Sequence, residues 1–162
     1  MGWSTAALVA ATLTTGLMAG LFAAFSYAVM PGLARTDDAA FVQSMQRINV
    51  AILNPVFGIC FGGAALFGVL AVVLHLRRSA ALPWVVAGLV LYVAVLVVTM
   101  ALNVPLNDRL EAAGRGDPAA ARAAFEDAWV RWNVVRSVLC VAAFGCLSWA
   151  LVLHGRLSAA GG

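Results

Sequence analysis

A chain of 162 residues that is 64% hydrophobic and only 10% charged departs far from a soluble domain, in which about a quarter of the residues carry charge. Its formal net charge of +3 comes from arginines scattered over connecting segments and helix ends. No basic stripe forms, which excludes a nucleic-acid-binding face.

Four apolar stretches follow one another: Thr5–Met30, Ile48–Leu76, Leu82–Asn103 and Val134–Leu153. None contains an acidic residue or a lysine. A helix rises about 1.5 Å per residue and the hydrocarbon core is about 30 Å thick, so about 20 apolar residues cross it, and each stretch is long enough. The first is preceded by no positive charge and exceeds the apolar core of about 7–15 residues that a signal peptide has, so it reads as a span. With no water to satisfy backbone groups, spans are helices or closed barrels, and these runs lack the alternation and the short segments of barrel strands. The expected fold is all-α: one domain over 1–162, a transmembrane four-helix antiparallel bundle with spans at about 5–30, 48–76, 82–103 and 134–153, and a partly helical extramembrane cap between spans three and four. Gly16 with Gly20, and Gly58 with Gly62, form GxxxG pairs that predict close contact between spans one and two.

This layout places the loop Pro31–Arg47 and the segment Val104–Asn133 at one membrane face. The termini and the tight loop Arg77–Pro83 lie at the other. Seven arginines at the first face against three at the second favour a cytoplasmic long-loop side, but Arg77 and Arg78 crowd a very short loop and pull the other way, so orientation stays open. Within the long segment, Gly114–Pro118 breaks the chain, and Asp117 followed by Pro118 predicts an N-capped helix running into span four. Phe125, Trp129, Trp132 and Asn133 recur on that helix as an aromatic stripe, either an interfacial anchor or one wall of a site. Cys60, Cys140 and Cys146 lie inside spans without CxxC spacing and read as small packing residues.

Polar residues inside or beside spans carry the functional signal. Pro105 in Asn103-Val104-Pro105-Leu106-Asn107-Asp108 predicts that span three stops or kinks there, leaving carbonyls for the asparagines or for a ligand. Asn54-Pro55 repeats the chemistry at the start of span two. Arg136 falls about one turn inside span four, where it must snorkel, pair or face a cavity. Asn54, Asn103, Asn133 and Arg136 share one depth and are expected to converge between the helices.

Four motifs in order, Pro31-Gly32-Leu33, then Met45-Gln46 with Asn49, Asn54-Pro55 and Phe57, then Asn103 to Asn107, then Phe125, Trp129, Trp132, Asn133 and Arg136, resemble the anthrone-oxygenase-like family of small four-span membrane proteins. The resemblance covers nearly the whole chain. It implies a four-helix membrane bundle and, for the characterised fungal members, oxidation of an anthrone to an anthraquinone by molecular oxygen. In that chemistry the substrate anion itself reduces oxygen, so no metal or organic cofactor is expected. Arg136 would stabilise the developing oxyanion, Asn103, Asn107 and Asn133 would hydrogen-bond substrate oxygens, and Asp108 is the nearest general base. Trp129 and Trp132 would line a flat slot, with Asn54, Tyr27 and Gln46 completing the substrate-binding set. A haem held by His75 and His154 at the opposite face is the cofactor alternative; no zinc or non-haem iron pattern exists. From a different class comes a non-catalytic membrane protein that binds a lipid or small hydrophobic ligand, or serves as an accessory subunit. Transport fits poorly, since no ionisable residue lies near mid-membrane. The expected setting is an integral, multi-pass protein of a bacterial plasma membrane, in contact with lipid and a planar aromatic or other hydrophobic small molecule, with a homo-oligomer open.

Overall fold

The computed structural model describes residues 2–76, 80–113 and 116–160. The arginine pair Arg77 and Arg78, and Gly114 and Arg115 of the expected chain break, lie outside the described residues. No strand occurs among those described. The helices are α1 (Trp3–Leu33), α2 (Asp38–Ala51), α3 (Pro55–His75), α4 (Leu82–Ala113) and α5 (Pro118–Ala160). Four of them, all but α2, are long and apolar enough to cross a membrane.

The helix starts follow from local chemistry. Asp37 Oδ1 accepts from the Ala40 amide at 2.8 Å, Asn54 Oδ1 from Phe57 at 3.0 Å and Asp117 Oδ1 from Ala120 at 3.0 Å. Each carboxylate or amide oxygen thus satisfies an amide that has no partner in the first turn, and Pro55 and Pro118 occupy the position where a missing N–H costs nothing. The Asp117–Pro118 signal and the unbroken run into span four are both as expected.

The spans close into a ring in which α1 packs on α3 and α5, and α4 on α3 and α5. Three apolar layers stack along it. The first surrounds Leu8, Ala71, Val85 and Leu147; the second Met18, Phe22, Tyr92 and Cys140; the third Phe25, Phe41, Met45, Leu110, Phe125 and Trp129. Leu17, Ile59, Leu66, Val90 and Val138 are exposed on the outside, where lipid replaces water as the neighbour and outward apolar side chains cost nothing.

The glycines act differently from expectation. Spans one and two do pack together, but a Cβ at Gly20, Gly58 or Gly62 would meet nothing within 4 Å, so the GxxxG faces are not the seam. Close approach occurs at Gly16 towards α5, where a Cβ would lie 2.8 Å from Phe144 Cε2, at Gly88, where it would lie 2.8 Å from Leu147 Cγ and 3.3 Å from the Ala143 carbonyl, and at Gly68, 3.0 Å from Leu89 Cδ1. The absent side chains let α4 approach α5 and α3.

Span three neither stops nor breaks at Pro105. A single wide turn, Thr99–Asn103, precedes it, with the Val104 amide bonded to the Thr99 carbonyl five residues back. The helix then continues to Ala113. The same device precedes Pro31 in α1: a wide turn Phe25–Val29, with Met30 bonded to Phe25. A proline ring collides with the carbonyl four residues earlier, and one extra residue per turn moves that carbonyl aside without ending the helix.

The segment Pro31–Arg47 is also more ordered than a loop, since α2 occupies most of it and lies against the extensions of α4 and α5. Arg122 fastens this layer. Its Nη2 donates to the Ala34 carbonyl at 3.0 Å and its Nη1 to the Thr36 carbonyl and Asp38 Oδ1, each at 3.0 Å, while Nε donates to Glu126 Oε2 at 2.6 Å. The guanidinium lies over Phe41, 4.5 Å from the ring centroid. One side chain thereby satisfies carbonyls at the end of α1 that have no helical partner.

Candidate functional site

The site grows from one face of α5. Phe125, Trp129, Asn133 and Arg136 are all buried at spacings of 4, 4 and 3 residues, so they form a single stripe. Asn133 anchors it to α1: Nδ2 donates to the Phe22 carbonyl at 3.1 Å and to Ser26 Oγ at 2.8 Å, and Oδ1 accepts from Arg136 Nε at 2.9 Å. Ser137 Oγ donates to the Asn133 carbonyl at 2.7 Å and lies 3.1 Å from Ser26 Oγ. A polar seam thus joins α1 and α5 at the wide turn of α1.

Arg136 is 8% exposed. Its guanidinium carbon lies 4.3 Å from the Phe22 ring centroid and 5.2 Å from that of Trp129, a sandwich that favours a cation in a low-dielectric place. The ion pairs seen among the described residues both belong to Arg122. Arg136 therefore has no carboxylate partner there, and its terminal nitrogens make no hydrogen bond to a described residue.

Arg136 borders a cavity of about 480 Å³, within the range of about 300–1,000 Å³ usual for small-molecule pockets. Phe22, Phe25, Phe57, Phe61 and Trp129 supply aromatic walls, and Thr99 and Met100 of the second wide turn another. Val104, Asn107, Asp108 and Glu111 border it at spacings of 3, 1 and 3 residues, one face of the α4 extension that exists only because the helix continues past Pro105. Asn49 of α2 lines it too, and its Nδ2 is a buried donor with no partner among the described residues.

The expected site residues divide. Arg136, Trp129, Asn107 and Asp108 border the cavity; Asn107 Oδ1 accepts from Trp129 Nε1 at 2.8 Å, which orients the indole. Asn133 stands directly behind Arg136. Asn103 is buried, with Nδ2 3.4 Å from the Trp129 carbonyl and Oδ1 without a partner among the described residues. Asn54 does not join them: it is exposed and occupied as the cap of α3, its Nδ2 donating to the Ala51 carbonyl at 2.9 Å. Tyr27 is 74% exposed on α1, and Trp132 is half-buried outside the cavity lining. Gln46 ties α2 to α4 through the Leu110 carbonyl at 2.9 Å and borders a neighbouring groove. The residues the sequence reading passed over are Asn49, Glu111, Phe22 and Thr99. Asn49 stood in the quoted motif three residues after Gln46, which was signal enough; the others needed the fold.

At the opposite end, Thr5 Oγ1 lies 2.9 Å from His154 Nε2, His154 Nδ1 3.1 Å from His75 Nε2, and His75 Nδ1 2.7 Å from the Ala71 carbonyl. If both rings are neutral, these contacts fix the tautomers: Thr5 donates to His154, His154 to His75 and His75 to Ala71. Among the described residues no group of three or more His, Cys, Asp or Glu gathers as a metal would need.

Sequence comparison matches residues 47–146 to the anthrone oxygenase family. The chain belongs to the anthrone oxygenase family. The matched region holds Asn49 and every cavity residue of α3, α4 and α5, while Phe22 and Phe25 of α1 lie before it. No curated protein and no solved structure matches this family member.

Proposed function

We propose that this protein binds a planar phenolic molecule of the anthrone type beside Arg136 and oxidises it with molecular oxygen. The observation that carries the reading is a buried arginine, unpaired by any carboxylate of the described residues, on the wall of an aromatic cavity. An anthrone methylene loses a proton to give an anion delocalised onto the ring oxygen. Arg136 N–H groups stabilise that oxygen as its charge develops, in a place where the low dielectric strengthens the interaction. Asp108 or Glu111, both on the cavity wall, takes the proton. The anion hands an electron to oxygen, the two radicals combine at the former methylene carbon, and loss of water leaves a carbonyl. One oxygen atom ends in the quinone and the other in water with the two methylene hydrogens, so the balance closes with oxygen as the sole oxidant.

The test is oxygen uptake by the purified protein with an anthrone, with and without chelator, against Arg136→Ala. Loss of one oxyanion donor lowers rate by about 10²–10³-fold, and that is the expected result. An Arg136→Ala protein that folds and keeps its full rate refutes the assignment. Tight anthrone binding with no uptake by the unaltered protein leaves a binding role in place of an oxygenase.

A further inference from the structure

We propose that the ligand of this cavity is a membrane-resident phenol bearing an apolar chain, with its ring beside Arg136 and its chain passing out between α3 and α4 into the lipid. The proposal names a substrate class for the site and rests on the preceding reading only for the ring.

The seam between α3 and α4 is closed over part of its length. Gly68 lets Leu89 lie against α3, and Tyr92 donates its hydroxyl to the Phe61 carbonyl at 2.9 Å. Towards the cap the seam ends at Leu53 and Phe57 on one side and at Met100, inside the wide turn of α4, on the other. Leu53 is 79% exposed and Met100 61% exposed, yet both line the cavity. Side chains that belong to the cavity wall and to the outer surface at once mark an opening. Its surroundings are apolar, because Val56, Ile59 and Val97 are exposed beside it, so it faces hydrocarbon.

A second way out has the opposite character. Val50 and Glu111 border both the cavity and an outward groove shared with Gln43, Gln46 and Arg47, a polar lining suited to water and protons. A ligand that reaches the cavity from the bilayer therefore meets a polar end ahead of it and an apolar opening behind it.

The interior selects the head. The terminal nitrogens of Arg136, whose Nε is held by Asn133, and the buried Asn49 Nδ2 offer donors without an acceptor among the described residues, which calls for an oxygen-bearing, electron-rich group. A fatty-acid carboxylate would meet the arginine but leave the aromatic cavity walls at Phe57 and Phe61 without a flat partner. A phenol ring meets both, and apolar area left in lipid adds no cost.

The experiment uses the full chain in phosphatidylcholine nanodiscs. A 4-dodecylphenol carrying a diazirine at the chain end is bound, photolysed and mapped by mass spectrometry, with 4-ethylphenol and dodecanoic acid as competitors and affinities corrected for partition into protein-free discs. Crosslinks at Leu53–Ile59 or Val97–Met100, binding of dodecylphenol no weaker than that of ethylphenol, and little competition by dodecanoic acid are expected. Leu53→Trp and Met100→Trp, at exposed positions that leave the fold intact, should each weaken binding by about tenfold, the scale of filling a gap with one oversized side chain. Crosslinks elsewhere, wild-type affinity in both variants, or equal binding of dodecanoic acid would overturn the proposal. The assay needs no turnover. A protein that holds the chain at this opening but consumes no oxygen defeats the oxygenase reading alone, and one that oxidises a bare anthrone while its alkylphenol labels elsewhere defeats this proposal alone.

Discussion

Asn133→Ala isolates what holds Arg136 in place. The substitution removes two interhelical hydrogen bonds, to the Phe22 carbonyl and Ser26 Oγ, and one to Arg136 Nε. Interhelical bonds in membranes average about 0.6 kcal/mol, so the first two sum to about 1 kcal/mol. Their acceptors keep other partners, because Ser26 Oγ lies 3.2 Å from the Phe22 carbonyl and 3.1 Å from Ser137 Oγ. The Arg136 Nε does not, and leaving a buried donor unmet adds about 1–3 kcal/mol. The expected loss is therefore about 2–4 kcal/mol, read by far-UV circular dichroism during unfolding in mixed micelles of sodium dodecyl sulfate. Activity should fall by about 10²-fold, since a misplaced catalytic group costs on that order. Asn133→Asp separates support from charge: it keeps an oxygen for Arg136 Nε but gives the guanidinium an anionic partner, so rate should fall while most stability returns. A change below about 0.5 kcal/mol in Asn133→Ala, or full oxygen uptake in Asn133→Asp, would refute the reasoning that an anchored, unpaired arginine makes the site.

Three further outcomes follow from the packing. Gly88→Ala drives a methyl against Leu147 and the Ala143 carbonyl and should cost about 1–3 kcal/mol by overpacking, whereas Gly62→Ala, with nothing within 4 Å, should be neutral or slightly stabilising in the same unfolding assay. Arg122→Ala removes the bonds that hold the α1–α2 turn against α5, so amide exchange should quicken across α2 while the spans stay protected; unchanged exchange there would show that the apolar layer alone fastens α2. His75→Ala should lower stability by breaking the row from Thr5 to Ala71 and leave oxygen uptake intact, because the row lies at the far end of the bundle; loss of uptake would place the chemistry at that end.

What the sequence determined by itself is the set of features governed by local physics. Apolar stretches of more than about 20 residues must be helices in hydrocarbon, where no backbone group can be left without a partner, so the four spans were legible without any contact being known. Asp117–Pro118 was legible because capping involves only residues within one turn. Arg136 stood out because a charge at that depth needs a reason, and residue count alone gives depth. Tertiary structure decided everything that depends on direction around a helix axis. Asn54, Tyr27 and Trp132 lie at the expected end of the bundle, yet one caps a helix, one is exposed and one falls outside the cavity lining, while Asn49 and Glu111 border the cavity. The same limit hid the passage of span three beyond Pro105 and the true seams at Gly68 and Gly88. In a membrane every outward face can be apolar at no cost, so the hydrophobic periodicity that marks the buried side of a soluble helix is missing; depth is written along the chain, and azimuth appears only when the helices pack.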